Sequence, residues 1–140
     1  MRSNAGFSLL ELIVVMAIIG ILIAISVPSY QIYTRRAHYT EIVEATVPYR
    51  IGIEECFEIT GHLSECVSGK NGVPKSSTNH DAEKDLIKSI TVSNNGEIIV
   101  TPNKRYGIKE KDTYILTPNI HHEKLSWHSG GGGVAAGYAN

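Results

Sequence analysis

The feature that most constrains this chain is an uninterrupted apolar segment near its start. Residues 7–27 read FSLLELIVVMAIIGILIAISV and contain a single charged residue, Glu11. A helix of this length, at 1.5 Å per residue, is long enough to cross the roughly 30 Å hydrocarbon core of a bilayer. A carboxylate costs about 2.5–3.5 kcal/mol at the centre of such a helix and less near an end. We therefore expect Glu11 to have a partner, and the nature of that partner indicates the function.

The rest of the chain has room for one small domain. The protein has 140 residues, and about 110 of them follow the apolar segment, a common size for a single domain. From Ser29 onward, 12 Lys and Arg stand against 13 Asp and Glu, so a net charge of −1 provides no general attraction to nucleic acid or anionic lipid. Cys56 and Cys66 lie ten positions apart. If the apolar segment carries the chain out of the cytoplasm, a disulfide between them is expected, and a pair of reduced thiols is the alternative.

The N-terminus differs from an ordinary secretory signal, in which the cleavage site follows the apolar region. Here a polar leader, MRSNAG, comes first, and cleavage near Gly6 would leave the apolar helix on the mature protein. The pattern Gly6-Phe7-Ser8-Leu9-Leu10-Glu11, followed directly by the apolar run, resembles the class III signal of type IV prepilins. The resemblance covers residues 1 to about 33.

This resemblance implies a processing step and a role for the acidic residue. A prepilin peptidase would cut between Gly6 and Phe7, and an N-methyltransferase would methylate the new amine of Phe7. Glu11 lies one helical turn away and would neutralise that amine in its own subunit or in a neighbour. Such pairing offsets the cost of burying the carboxylate and sets the axial register between stacked subunits.

The expected fold class is α+β, with a long curved N-terminal helix packed against an antiparallel sheet of three or four strands. The helix is apolar on all sides in its first half and amphipathic in its second, to about residue 60. Gly20, Pro28 and Pro48 match helix-loosening or helix-bending positions of the type IV pilins, and the prolines should bend the helix rather than end it. The apolar face predicted for the second half consists of Tyr39, Ile42, Val43, Val47 and Ile51.

The predicted organisation is a cleaved leader at 1–6, a transmembrane and assembly helix at 7–28, and a globular head at 29–140. The head contains the second half of the helix, at about 29–60, and the sheet, at about 86–128. Alternating side chains around Asn94-Asn95-Gly96 predict a hairpin of 86–93 with 97–101, and 114–117 and 125–128 are two further strand candidates. Residues 61–85 read as a surface connection, and the tail SGGGGVAAGYAN reads as flexible.

Outside the N-terminal motif, one charged cluster is a candidate binding site. Lys104, Arg105, Lys109 and Lys111 form either a solvated loop or a strip that contacts DNA, diluted by Glu110 and Asp112. His121, His122 and His128 lack the spacing of a metal site and are expected to be exposed polar residues. No catalytic spacing is recognisable, so we expect no enzyme activity, no cofactor and no metal.

The resemblance implies a type IV pilus structural subunit, held in the inner membrane as a precursor and then polymerised by the pilus assembly machinery into a filament on the bacterial surface. Adhesion to a host surface, twitching motility and DNA uptake are the functions that the family implies. Three alternatives stay open: a minor pilin or type II secretion pseudopilin, a DNA-binding pilin, and a simple membrane-anchored binding domain.

Overall fold

Two α-helices occupy most of the first sixty residues. The computed structural model describes residues 6–79 and 84–140, so the predicted leader lies outside the described residues except for its last residue, Gly6. Helix α1 spans Leu9–Glu44 and helix α2 spans Val47–Thr60. The chain divides into an N-terminal unit, Met1–Thr34, and a second unit, Arg35–Asn140, which we call the head unit.

The first part of α1, which belongs to the N-terminal unit, is exposed to solvent as far as residue 33. Every residue from 6 to 33 is exposed, including the large apolar side chains. The helix has no polar face, because apolar residues occupy every side of it, and its most apolar 18-residue window has a mean hydropathy of 2.9. By length and composition this helix could cross a membrane. Pro28 lies inside α1 and does not end it.

The long helix expected to run to about residue 60 is present, but it is interrupted. The sequence predicts a bend at Pro48 within a continuous helix, whereas Ala45 and Thr46 form a turn that separates α1 from α2. Pro48 lies in the first turn of α2. Because proline has no N–H and its ring crowds the preceding turn, it fits the start of a helix better than the interior.

The buried face of the helices also differs from the expected one. Val47 and Ile51 are 42% and 46% exposed, so their predicted burial is wrong. The buried stripe follows alternating steps of three and four residues through the turn and consists of Tyr39, Ile42, Thr46, Tyr49, Ile53 and Cys56. The stripe includes polar groups whose hydroxyls are satisfied internally: Thr46 donates to the carbonyl of Val43. Choosing positions by hydrophobicity alone therefore selects the wrong side of α2.

Five antiparallel strands follow the helices, in the spatial order β1-β2-β3-β4-β5. They are β1 Ser77–Thr78, β2 Ile87–Val92, β3 Ile98–Pro102, β4 Tyr114–His121 and β5 Lys124–Gly130. The α+β fold and the hairpin around Asn94-Asn95-Gly96 are confirmed, with Ile90 opposite Val100. The sequence predicts three or four strands, and the strand that it misses is β1. This strand has only two residues, too few for an alternating pattern.

The core of the head unit lies between the helices and the sheet. From the sheet, Ile98 and Val100 are fully buried, and they join Ile42 and Ile53 of the helices in one cluster. The segment between α2 and the sheet contributes as well. Val73 is buried, and the backbone near it approaches α2 so closely that a Cβ on Gly52 would lie 2.8 Å from the carbonyl oxygen of Gly72.

The C-terminal segment is packed rather than flexible. After β5 it forms a short helix, α3 Gly132–Ala135, in which Gly133 is buried against the ring of Tyr39. Tyr138 then packs on the same ring, with centroids 5.6 Å apart. The glycine-rich composition therefore serves a close approach to Tyr39 rather than disorder.

Candidate functional site

The N-terminal motif places its first residues outside the helix. Gly6, Phe7 and Ser8 precede α1, and the side chain of Phe7 is 81% exposed. The hydroxyl of Ser8 accepts a hydrogen bond from the backbone N–H of Glu11 at 3.2 Å, so Ser8 acts as a cap for the first turn. The peptide bond between Gly6 and Phe7 is thus in exposed, non-helical chain, the kind of backbone that proteases cut.

Glu11 lies in the first turn of α1, where the partial positive charge of the helix start favours an anion. Its side chain is exposed. Over residues 6–79 and 84–140, no ion pair includes Glu11. A carboxylate at this position is therefore available to pair with a cation from outside the helix.

The apolar surface that surrounds Glu11 is large. A helix of this hydropathy is unstable when exposed to water, because burial of each aliphatic or aromatic side chain is favourable by about 1.5–3 kcal/mol. None of this window is buried within the chain. The strongly exposed side chains include Phe7, Leu9, Leu10, Met16, Ile21, Ile25, Tyr30 and Tyr33. Contiguous apolar surface of this extent marks a site for lipid or for another protein.

All four basic residues of the candidate cluster lie on the connection between β3 and β4, residues 103–113, which we call the basic loop. Lys104, Lys109 and Lys111 are exposed. Arg105 is partly engaged: its guanidinium lies 4.9 Å from the ring centroid of Tyr106 and donates to the carbonyl of Lys84. The DNA contact predicted for these residues stays a prediction.

The two acidic residues of the basic loop are less free than the sequence suggests. Asp112 is buried rather than presented to solvent, and its carboxylate accepts the backbone N–H of Lys109 at 2.9 Å. Glu110 pairs with Lys88 of β2 at 3.0 Å. The side chains that the basic loop presents to solvent are therefore more cationic than its sequence suggests.

The tip of the basic loop is a tight turn that lies beside α1, at the point where the head unit begins. Tyr106 and Gly107 have φ values of 52° and 79°, and Ile108 donates to the carbonyl of Arg105 at 2.8 Å, as in a type I′ turn. The ring of Tyr106 stacks on His38 with centroids 3.8 Å apart. This stacking fixes the loop against α1.

A second surface lies at the C-terminal end of α2 and was not predicted from the sequence. A groove of about 500 Å³ lies between the end of α2 and the turn joining β4 to β5, and Phe57, Glu58 and Glu123 line it. Its continuation is lined by Glu54. The run EECFE at 54–58 is a visible signal of acidic character. The contribution of Glu123, more than sixty positions later, depends on the fold.

His121 is the last residue of β4 and His122 begins the turn to β5, and both are exposed as predicted. His122 and Glu123 have φ values of 49° and 62°, so two non-glycine residues form a tight hairpin turn. Within the described ranges 6–79 and 84–140, no group of three or more His, Cys, Asp or Glu residues is placed to hold a metal ion.

The predicted disulfide is present. Cys56 of α2 and Cys66 are joined, with Cα atoms 5.7 Å apart, and both side chains are fully buried. The bond closes the end of α2 onto the segment that follows, which supports one wall of the core. Closing a loop of this length stabilises a fold by about 3 kcal/mol.

Comparisons with known proteins agree with these features. Residues 1–27 match the family model of the prokaryotic N-terminal methylation motif. Prepilin peptidase-dependent protein D of Escherichia coli (strain K12) is 37% identical over 109 residues, covering 73% of this chain and 75% of that protein. Type IV pilus subunit protein TapA of Aeromonas hydrophila is 43% identical over 74 residues, covering 53% of this chain and 52% of TapA, about half its length.

The fold is also found in a solved structure of a type IV pilin. The solution NMR structure of the major type IV pilin PpdD from enterohemorrhagic Escherichia coli superposes with a TM-score of 0.53 at 24% identity, covering 70% of this chain and 69% of that one.

Proposed function

Because the chain belongs to the type IV pilin family, we propose that it is a structural subunit that polymerises through its N-terminal helix into a filament on the bacterial surface. The observation that carries this proposal is the exposed apolar length of α1 around Glu11. A monomer cannot keep that surface in water. The inner membrane would cover it in the precursor, and the helices of sister subunits would cover it in the filament.

Processing would prepare the chain for assembly. Cleavage after Gly6 by prepilin peptidase would remove the leader and turn the nitrogen of Phe7 into a cationic amine, which an N-methyltransferase would methylate. The exposed, non-helical backbone at Gly6 and Phe7 supports this step, and so does the match of residues 1–27 to the methylation motif. Methylation of a secondary or primary amine leaves the positive charge in place near neutral pH.

Pairing between that amine and Glu11 would set the axial register of the filament. In a core made of apolar helices, an unpaired carboxylate carries the full cost of its burial, so a subunit that stacks out of register is penalised. A subunit in register places the amine of Phe7 against the Glu11 of a neighbour and offsets most of that cost. The pair therefore selects one position along the axis rather than adding affinity to every arrangement.

The filament's work would be mechanical and adhesive, and no step of it requires a reacting group on this chain. Adhesion, twitching motility and DNA uptake are the functions that we propose for the assembled fibre, which the assembly machinery extends and retracts. A subunit present in few copies, as in a minor pilin, would use the same N-terminal helix and the same pairing.

Replacement of Glu11 tests the proposal. In cells that carry the assembly machinery, Glu11→Ala should lower the amount of filament sheared from the surface by more than tenfold. Breaking a buried ion pair costs about 3–5 kcal/mol, and every 1.4 kcal/mol is a factor of ten in association. The level of mature chain in the membrane should stay the same.

Two control variants sharpen the measurement. Glu11→Asp keeps the charge and should retain a large part of assembly. Glu41→Ala removes an exposed glutamate from the same helix in the head unit and should assemble like the unaltered chain. Normal filaments from Glu11→Ala would refute the pairing, and a chain that is never cut and never leaves the membrane would support a simple anchored domain instead.

A further inference from the structure

The head unit carries a cluster of positive charge where its helix begins. Arg35 and Arg36 lie at the start of the head unit on α1, and the basic loop lies beside them. The contact is close: a Cβ on Gly107 of the loop would lie 2.5 Å from Nε of Arg35. The stacking of Tyr106 on His38 holds the loop at the same place. The exposed side chains of Lys104, Lys109 and Lys111 extend this charged surface.

The other end of the head-unit helices carries an acidic groove, which we define by Glu54, Phe57, Glu58 and Glu123. Three of these four residues are carboxylates, and Lys124 is the one cation among the residues lining the groove in the described part of the chain. The walls are partly apolar, from Phe57 and from Leu125 and Ile120, the latter 51% exposed.

A hydrogen bond and an ion pair within the head unit hold one wall of the acidic groove in place. The indole N–H of Trp127 on β5 donates to a carboxylate oxygen of Glu54 at 2.7 Å, which ties the sheet to α2 beneath the groove. Nε of Arg50 lies 3.5 Å from the same oxygen and forms an ion pair with it. Glu58 and Glu123 are exposed at the rim, and no ion pair among residues 6–79 and 84–140 includes either of them. Their charges are free for an outside partner.

The basic loop and the acidic groove lie at opposite ends of the head unit. Twenty residues separate His38, next to the loop, from Glu58 at the groove, and at 1.5 Å per helical residue this is about 30 Å along the helix direction. The sheet shows the same separation, because Tyr39 packs on Tyr114 at the start of β4, whereas the groove lies at the turn that follows the end of β4. The head unit thus carries opposite charges at its two ends.

We infer that the basic loop of one copy docks into the acidic groove of the next copy, as a head-to-tail contact between neighbouring subunits of the filament. The inference rests on the proposed function and names the partner of each surface. A contact between two different patches of one chain does not close on itself unless the rotation allows it, and it otherwise builds an open helical array.

The two surfaces match in chemistry as well as in sign. Lys104 and Lys109 would meet Glu58 and Glu123 at the rim, where charges mainly steer approach and fix the register. Tyr106, which is 48% exposed, would present its free edge to the apolar wall formed by Phe57. An aromatic contact at the centre with charged residues at the rim is the arrangement expected of an interface.

Charge reversal and its rescue test the contact in the full chain, with sheared filament as the readout. The variant Glu58→Lys with Glu123→Lys should lower filament yield at least about tenfold, because like charges placed opposite each other at an interface are strongly unfavourable. Adding Lys104→Glu with Lys109→Glu should restore most of the yield. Glu55→Lys is the matched control, since Glu55 is exposed on α2 and does not line the groove.

Cysteine cross-linking supplies an independent measurement. Both cysteines of the chain are already joined to each other, so introduced cysteines report only new contacts. Filaments with Glu58→Cys and Lys104→Cys in the same chain should give, on oxidation, a ladder of covalent multimers longer than dimers. Each single variant should give none of the ladder.

Three results would overturn the inference. One is normal filament yield from Glu58→Lys with Glu123→Lys. Another is a four-residue variant whose filament yield is no higher than that of this double variant. The third is intact filaments of the double-cysteine chain that give no ladder on oxidation. If, in that case, Lys104→Glu with Lys109→Glu lowers only the amount of DNA that the filaments retain, the basic loop is a DNA contact instead. If these results occur while Glu11→Ala still abolishes filaments, the proposed function stands and only the head-to-tail contact fails. Absence of filaments from the unaltered chain would overturn both.

Discussion

At the scale of single residues, Tyr39 connects the helix of the head unit to its sheet. Its side chain is fully buried, and its hydroxyl donates to the backbone carbonyl of Asp112 at 2.9 Å. The ring packs edge-on against Tyr114, with centroids 6.3 Å apart. Burial raises the pKa of Tyr39 above its usual value, and the Asp112 carboxylate adds to the shift.

Replacement of Tyr39 by phenylalanine should remove one hydrogen bond and one source of alkaline sensitivity. We expect Tyr39→Phe to lower the free energy of unfolding by about 1 kcal/mol near neutral pH. The pKa of Tyr39 is raised in the folded state, so its contribution is fully present below pH 10 and is lost as pH rises above the unfolded value of about 10. The variant should therefore lose less stability between pH 8 and pH 11 than the unaltered chain.

Urea unfolding of the full chain in detergent micelles, at a series of pH values, measures this difference. Tyr30→Phe is the control, because Tyr30 lies on the exposed helix of the N-terminal unit and is 69% exposed. The same fall of stability with pH in Tyr39→Phe and in the unaltered chain would show that Tyr39 does not supply the alkaline sensitivity.

At the scale of elements, the C-terminal segment stabilises the head unit through a close approach. Gly133 donates its N–H to the carbonyl of Thr113 at 3.0 Å, which brings α3 onto the end of β4. There, the absence of a side chain leaves room for the Tyr39 ring. The segment thus covers one side of the aromatic cluster of Tyr39, Tyr114 and Tyr138.

A methyl group at Gly133 should disturb this packing. Its Cβ would overlap the hydroxyl and ring of Tyr39, so we expect Gly133→Ala to lower the free energy of unfolding by about 1–3 kcal/mol, the usual cost of overpacking. Gly130→Ala is the matched control, since nothing lies within 4 Å of a Cβ at Gly130. Thermal unfolding of both variants measures the difference, and equal midpoints would contradict the packing role.

The elements also show what the sequence could predict and where it could not. The hairpin around Asn94-Asn95-Gly96 was predictable, because alternation and turn chemistry are local. The buried stripe of the helices was not, because Thr46, which belongs to it, is buried for a hydrogen bond rather than for hydrophobicity, and Gly52 beside it is buried by a close approach of the backbone. The C-terminal segment was misread for the same reason, since its composition does not reveal Tyr39 as a neighbour.

The candidate sites divide in the same way. The N-terminal motif could be recognised because its chemistry lies in consecutive residues from Gly6 to Glu11. The basic loop was also visible, although the inward direction of Asp112 was not. The acidic groove combines α2 with Glu123 of a distant turn, and only the fold brings these residues together.

At the scale of the whole molecule, the two units differ in how much of their apolar surface they bury within the chain. The head unit has a closed core of helix and sheet, stapled by the Cys56–Cys66 disulfide. The N-terminal unit leaves its apolar residues exposed from 7 to 33 and places one carboxylate, Glu11, among them. This contrast is what we expect of a subunit whose stability is completed by other copies of itself.

The central claim is that cleavage creates a positive partner for Glu11 and so commits the chain to a filament. Mass spectrometry of the chain recovered from sheared filaments tests it most directly. We predict a mature N-terminus at Phe7, with residues 1–6 absent and one methyl group on the amine. An intact Met1 on the surface-exposed chain, or a chain found uncut and only in the membrane, would contradict the account.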